Sequence, residues 1–132
     1  MDKPDEVMGL LLTDDMIFSS RITGTAQALG LEIKPMKSIE SLKTLARERN
    51  PTCLIIDLSH PELQLVKLIR DLKESSSPMP RLVAYGSHVD SATLRAAREA
   101  GCDVVLPRSQ FVEQLSSQLS QWLAPPDSSP AH

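Results

Sequence analysis

Thr52-Cys53-Leu54-Ile55-Ile56-Asp57 is an apolar run that ends on a carboxylate, and Leu58-Ser59-His60-Pro61 follows it. A run of this kind, in a chain where strand-like and helix-like segments alternate, reads as a buried parallel strand. Asp57 then stands at the C-terminal tip, the edge where open α/β sheets place their sites. An aspartate at that edge either works with neighbouring groups as a chemical site or sits on a scaffold that only binds.

Outward from this strand the alternation holds in both directions. Val7 to Leu12 is a first apolar strand, followed by the polar tip Thr13-Asp14-Asp15. Ile17, Ile22, Ala26 and Leu29 fall on one side of a helix, and Gly30 is its C-terminal stop. Leu31 to Met36 is a second strand, which Lys34 and Pro35 place at or near an edge. Ser38 caps a helix carrying Leu42, Leu45 and Ala46, ending near Asn50-Pro51. Pro61 suits the first turn of the next helix, whose face is Leu65, Leu68, Ile69 and Leu72 and whose end is Ser75-Ser76-Ser77-Pro78. Arg81 to Tyr85 is a fourth strand with Gly86-Ser87-His88 as its exit. Asp90 or Ser91 caps an alanine-rich helix that stops at Gly101. Val104-Val105-Leu106 is a fifth strand, and Ser109 caps a last helix bearing Val112, Leu115, Leu119 and Trp122. Trp122, at the end of that stripe, is expected to be half covered. Five strands and five helices in strict alternation predict an α/β fold, a three-layer α/β/α sandwich around a five-stranded parallel sheet.

The 132 residues allow one domain, taken as 7–123, with 1–6 as an extension and 124–132 as a disordered tail. Net charge is −3, which offers no general attraction to nucleic acid or anionic lipid. The basic residues Lys34, Lys37, Lys43, Arg47 and Arg49 have no aromatic platform and read as a solvated face. No stretch approaches a membrane span, the N-terminus lacks a signal-peptide run, and Cys53 and Cys102 suit reduced thiols; the expectation is a cytoplasmic protein. Neither cysteine has a base at visible spacing, and Gly24 and Gly86 form no phosphate loop.

Four local features carry a resemblance: Asp14-Asp15 after the first strand, Asp57 with Pro61 four residues on, Ala100-Gly101-Cys102-Asp103 before the fifth strand, and Phe111 in the last helix. Over Val7 to Leu123 the chain resembles the receiver domain of bacterial two-component response regulators, the flavodoxin-like fold of the chemotaxis regulator. The resemblance implies strand order 2-1-3-4-5, Asp57 as phosphoryl acceptor, and Mg²⁺ held by Asp14, Asp15, Asp57 and a carbonyl near Ser59. Counting back from Leu29-Gly30 instead sets the first-strand pair at Thr13 and Asp14, with one acid lost. The family's switch threonine falls on Tyr85 and its small neighbour on Gly86, unless a shift brings in Ser87. The family's lysine falls on Arg108, or on Pro107 with a one-residue slip.

Arginine keeps the charge of lysine but presents a planar fork instead of a compact ammonium. A tyrosine in place of the threonine points outward or fills the pocket. Asp14 and Asp15 serve equally well as caps of the first helix. His60 and His88 lie in loops on the same face; a transition-metal role with the aspartates is the minor reading, and solvent-facing rings are expected.

The expected function is that of an atypical or pseudo-receiver, acting by protein–protein interaction with its phosphorylation switch impaired. The runner-up is a working single-domain regulator phosphorylated at Asp57 by a histidine kinase with Mg²⁺, catalysing at most its own phosphorylation and dephosphorylation. A small-ligand binder of flavodoxin-like type ranks third. With no output domain following, a partner or a homodimer would form through the fourth helix, fifth strand and last helix, using Arg95, Arg98, Glu99 and Arg108.

Overall fold

The computed structural model describes residues 7–75 and 78–125. The expected extension, 1–6, most of the expected tail, 126–132, and Ser76 and Ser77 lie outside the described residues. Strands β1 (Met8–Leu12), β2 (Glu32–Met36), β3 (Cys53–Asp57), β4 (Arg81–Gly86) and β5 (Val104–Pro107) alternate with helices α1 (Met16–Ala28), α2 (Ile39–Arg49), α3 (Leu65–Ser75), α4 (Ser91–Ala100) and α5 (Arg108–Leu123). All four strand pairings are parallel, in the order β2-β1-β3-β4-β5. β2 is therefore an edge, and its Lys34 and Pro35 are exposed there.

The two-residue period of the central strands divides the core in two. Leu10, Leu12, Leu54, Ile56, Leu82 and Ala84 pack under α2, α3 and α4. Leu11, Cys53, Ile55, Val83 and Tyr85 face the other way, under α1 and α5. Each β3 residue from Cys53 to Asp57 is buried, which is why that strand reads as continuously apolar until the carboxylate.

Local chemistry sets the element ends. Asp15 caps α1 by accepting from the Phe18 N–H at 3.0 Å, and Ser38 caps α2 by accepting from Ser41 at 3.1 Å. Gly101 ends α4 at φ +113°, a left-handed conformation that side chains strain to adopt. Two residues later the Asp103 carboxylate accepts the Leu82 N–H at 2.8 Å, so the Ala100-Gly101-Cys102-Asp103 stretch ties the end of α4 to the start of β4. Arg81 Nη1 donates to the carbonyls of Gln121 and Trp122, and Thr52 Oγ1 to that of Leu123; together they satisfy the C-terminus of α5.

Three sequence expectations need correction. Pro61 does not start α3. The chain from Asp57 to Leu63 forms two successive turns, with His60 N–H on the Asp57 carbonyl and Leu63 N–H on the His60 carbonyl, and the helix begins only at Leu65. Ser109 is not a cap: Pro107, at φ −59°, occupies the cap position, no side chain bonds there, and helical geometry starts at Arg108. Trp122 is buried and not half covered, because it stacks on Phe111 with ring centroids 5.5 Å apart.

Candidate functional site

The C-terminal edge of the sheet brings together the ends of β1, β3, β4 and β5. Asp57 is 2% exposed at the tip of β3. Its Oδ2 accepts from the Thr13 hydroxyl at 2.6 Å and its Oδ1 from the Ser59 N–H at 2.9 Å. Thr13, the residue after β1, is also 2% exposed. Its oxygen accepts from the Asp15 N–H at 3.1 Å, and its own N–H donates to the Met36 carbonyl. Of the two first-strand alternatives, the member that touches Asp57 is therefore Thr13. Asp14 is exposed, and the exposed Asp15 has its carboxylate on the α1 cap.

Asp57 and Tyr85 are paired across β3 and β4, so both point toward α1 and α5. Tyr85 is fully buried, stacked against Phe111 with centroids at 4.7 Å and Phe18 at 4.9 Å. With Trp122 these rings form one continuous group containing all four aromatic residues of the chain. The phenol hydroxyl is buried and makes no well-formed hydrogen bond, although the Thr13 hydroxyl lies close enough to interact with it. Burial pushes its pKa well above the usual phenol range; the Thr13 hydroxyl pulls against this and the Asp57 charge adds to it. Gly86, the next residue, lies against Leu58 and Leu94; a Cβ there would stand 3.3–3.4 Å from both side chains. Ser87 turns away into the exit loop, where its hydroxyl accepts from the Val89 N–H.

Arg108, first residue of α5, lies across the mouth. Its guanidinium sits 5.4 Å from the centre of the Phe18 ring, and Nη2 reaches the Ser59 hydroxyl at 3.5 Å, a weak contact. Its Nε is buried without a partner, and it makes no ion pair with Asp57 among the described residues. On the outer face of α4, Arg95, Arg98 and Glu99 are exposed, with Arg98 Nη2 at 3.4 Å from the Val105 carbonyl. Arg108 turns from that face toward the pocket.

His60 corrects the expectation of solvent-facing loop histidines. It is 7% exposed, with Nε2 donating to the Lys37 carbonyl at 2.6 Å and Nδ1 accepting from the Glu62 N–H at 3.2 Å. Because a carbonyl only accepts and an N–H only donates, the ring is the neutral Nε2–H tautomer, spent on joining two loops. His88 is exposed. Among the described residues no group of three His, Cys, Asp or Glu could hold a metal ion. The residues present do not fit the Mg²⁺ the resemblance implies: Asp57 is turned to two neutral donors, the Asp15 carboxylate caps a helix, and Asp14 is exposed apart from both.

Sequence reasoning missed Thr13 as the direct partner of Asp57. The count back from Leu29-Gly30 holds the signal for Thr13, while the adjacent acids Asp14 and Asp15 present the more obvious metal chemistry.

No family model matches the chain. It is 32% identical over 82 residues to the response regulator MprA of Mycobacterium leprae, 61% of this chain and 35% of that protein; the chain thus spans about a third of that relative's length. Among solved structures it superposes on the receiver domain of the Francisella response regulator 1452 with TM-score 0.74 at 14% identity, covering 89% of this chain and 96% of that one. A signal receiver domain from Bermanella marisrubri gives TM-score 0.75 at 20% identity over 87% and 96%. The receiver domain of Saccharomyces cerevisiae Ssk1, crystallised with the histidine phosphotransfer protein Ypd1, gives 0.74 at 18% over 92% of each chain. No helix among the described residues is long and apolar enough to cross a membrane. The chain is a flavodoxin-like domain with the receiver fold of two-component response regulators.

Proposed function

We propose that the chain is a receiver-like signalling module that works by binding a partner protein, with the phosphorylation switch of its fold relatives impaired. The observation that carries this reading is Tyr85. The side chain at the switch position is packed between Phe18 and Phe111, below the carboxylate it would have to report on. A ring held this way has no room to swing toward a modified Asp57 without opening the α1–α5 layer. Asp57 also has no cation beside it among the described residues: its oxygens accept only from the Thr13 hydroxyl and the Ser59 N–H, and Arg108 lies over the Phe18 ring without pairing with the carboxylate.

Phosphoryl transfer depends on positioning and on stabilising charge over the equatorial oxygens. The pocket supplies one guanidinium, set to one side, and no assembled cation site. Output therefore rests on surface recognition. The α4–β5–α5 face, with Arg95, Arg98 and Glu99, is one candidate surface. The Ssk1 receiver, crystallised with a phosphotransfer protein, illustrates a partner class for this fold.

The test is incubation of the chain with acetyl phosphate and Mg²⁺, read by intact mass, with Asp57→Asn as the control. The expected result is no phosphoryl adduct on either protein. A stoichiometric adduct on the unmodified chain that Asp57→Asn abolishes would establish the working receiver instead.

A further inference from the structure

A carboxylate buried to 2% exposure is tolerated only when its charge is met by a cation or by hydrogen-bond donors. Around Asp57 the compensation is neutral. The Thr13 hydroxyl approaches to 2.6 Å, within the short range of O–H···O⁻ bonds, and the Ser59 N–H supplies the second donor. Thr13 is itself held at three points. Its N–H bonds the Met36 carbonyl at the end of β2, its oxygen receives the Asp15 N–H, and its hydroxyl proton goes to Asp57. With the Asp15 donor occupying one side of the oxygen, the proton is aimed at the carboxylate.

We infer that Thr13 is the positioning residue of Asp57, and that its neutral hydroxyl keeps the pocket ordered with no divalent cation. The inference builds on the impaired switch proposed above but is read without any phosphodonor, so the two can fail separately. It has a chemical corollary. An acidic side chain at position 13 would stand within hydrogen-bond reach of Asp57 and beside Asp14. Carboxylates that close cannot both remain charged unless a proton or a cation joins them. One substitution should therefore convert a cation-indifferent pocket into a cation-requiring one.

The experiment titrates Mn²⁺ and Mg²⁺ into the unmodified chain, Thr13→Ser, Thr13→Val and Thr13→Asp. It follows paramagnetic broadening of the Asp57 and Ser59 amides together with the melting temperature. The unmodified chain and Thr13→Ser are expected to show no selective broadening. Thr13→Val, which keeps the shape and removes the donor, should melt roughly 5 °C lower and still ignore the cation. Thr13→Asp should bind Mn²⁺ at least about tenfold more tightly than the unmodified chain and melt higher as Mg²⁺ is added. Selective broadening at Asp57 in the unmodified chain would overturn the inference. So would a Thr13→Val protein that melts with Thr13→Ser, or a folded Thr13→Asp protein that gains no affinity. The unmodified chain and the Ser and Val variants decide the matter even if Thr13→Asp fails to fold.

Discussion

Asp57 and Tyr85 are direct neighbours across β3 and β4, on the same side of the sheet, yet one side chain belongs to the pocket and the other to the core. The carboxylate is met by Thr13 and Ser59, while the phenol ring is enclosed by aromatic side chains and its hydroxyl, beside Thr13, makes no well-formed hydrogen bond. Removing that hydroxyl should leave stability unchanged or raise it by up to about 1 kcal/mol, because an unpaired buried polar group contributes only its desolvation penalty. Truncating the ring should be severe, about 3–5 kcal/mol, as for other large buried side chains. Urea unfolding of Tyr85→Phe and Tyr85→Ala measures both. A Tyr85→Phe protein destabilised by more than about 2 kcal/mol would mean the hydroxyl is bonded after all.

Gly86 follows from the same geometry. A Cβ at this position meets Leu58 and Leu94 at 3.3–3.4 Å, close enough that its neighbours must give way slightly. Gly86→Ala should cost less than about 1 kcal/mol. Gly86→Val, with two further methyls in the same space, should cost about 1–3 kcal/mol. Thermal unfolding of the two variants tests the ordering; equal melting temperatures would show that the β4–α4 junction relaxes freely.

Asp103 is a structural acid by its contacts. It accepts the Leu82 N–H, so Asp103→Ala leaves that N–H, near the start of β4, without its acceptor and should lose about 1–2 kcal/mol, with Asp103→Asn recovering part of it. Amide exchange at Leu82 is the local readout: it should accelerate in Asp103→Ala more than exchange at Val83 does.

The thiols give a pH signature. Burial pushes Cys53 from 9.0 to about 12, with Asp103 adding to the effect, and raises Cys102 to about 11. Both should resist thiol reagents at neutral pH in the native chain and react at once in denaturant, since the thiolate is the nucleophile. For stability the sign is fixed by the protons bound. Between pH 9 and about 12 the unfolded chain has released the Cys53 proton and the folded chain has kept it, so stability falls as pH rises through that window. Below pH 9 this group contributes nothing. The loss from this group is at most about 1.4 kcal/mol per pH unit, and Cys53→Ala should remove that share while the smaller Cys102 share remains.

The alternation of elements is legible in the chain because the strands are continuously apolar and the helices carry three-to-four spacing. Cys53 to Asp57 and the Leu115–Leu119–Trp122 stripe are plain examples. Junctions are harder to read. Ser109 has the chemistry of a cap, but the fixed φ of Pro107 starts the helix two residues earlier. Pro61 suits a first helical turn, but His60 bonds the Lys37 carbonyl from a distant loop and holds the chain in turns instead. The pocket shows the same limit. Asp57 is visible as a charge ending an apolar strand. Thr13 is reached only by the count back from Leu29-Gly30, because a threonine after a buried strand shows no role of its own until the sheet sets it against a residue 44 positions away. The inward packing of Tyr85 depends likewise on Phe18 and Phe111, from two separate helices.

The most direct test of an impaired switch is the amide spectrum of the ¹⁵N-labelled chain with Mg²⁺, before and after addition of beryllofluoride, a mimic of the phosphoryl group. The account predicts that the Asp57, Tyr85, Gly86 and Arg108 signals stay where they are. Movement of those signals at stoichiometric mimic, spreading to Phe111 and α5, would contradict it.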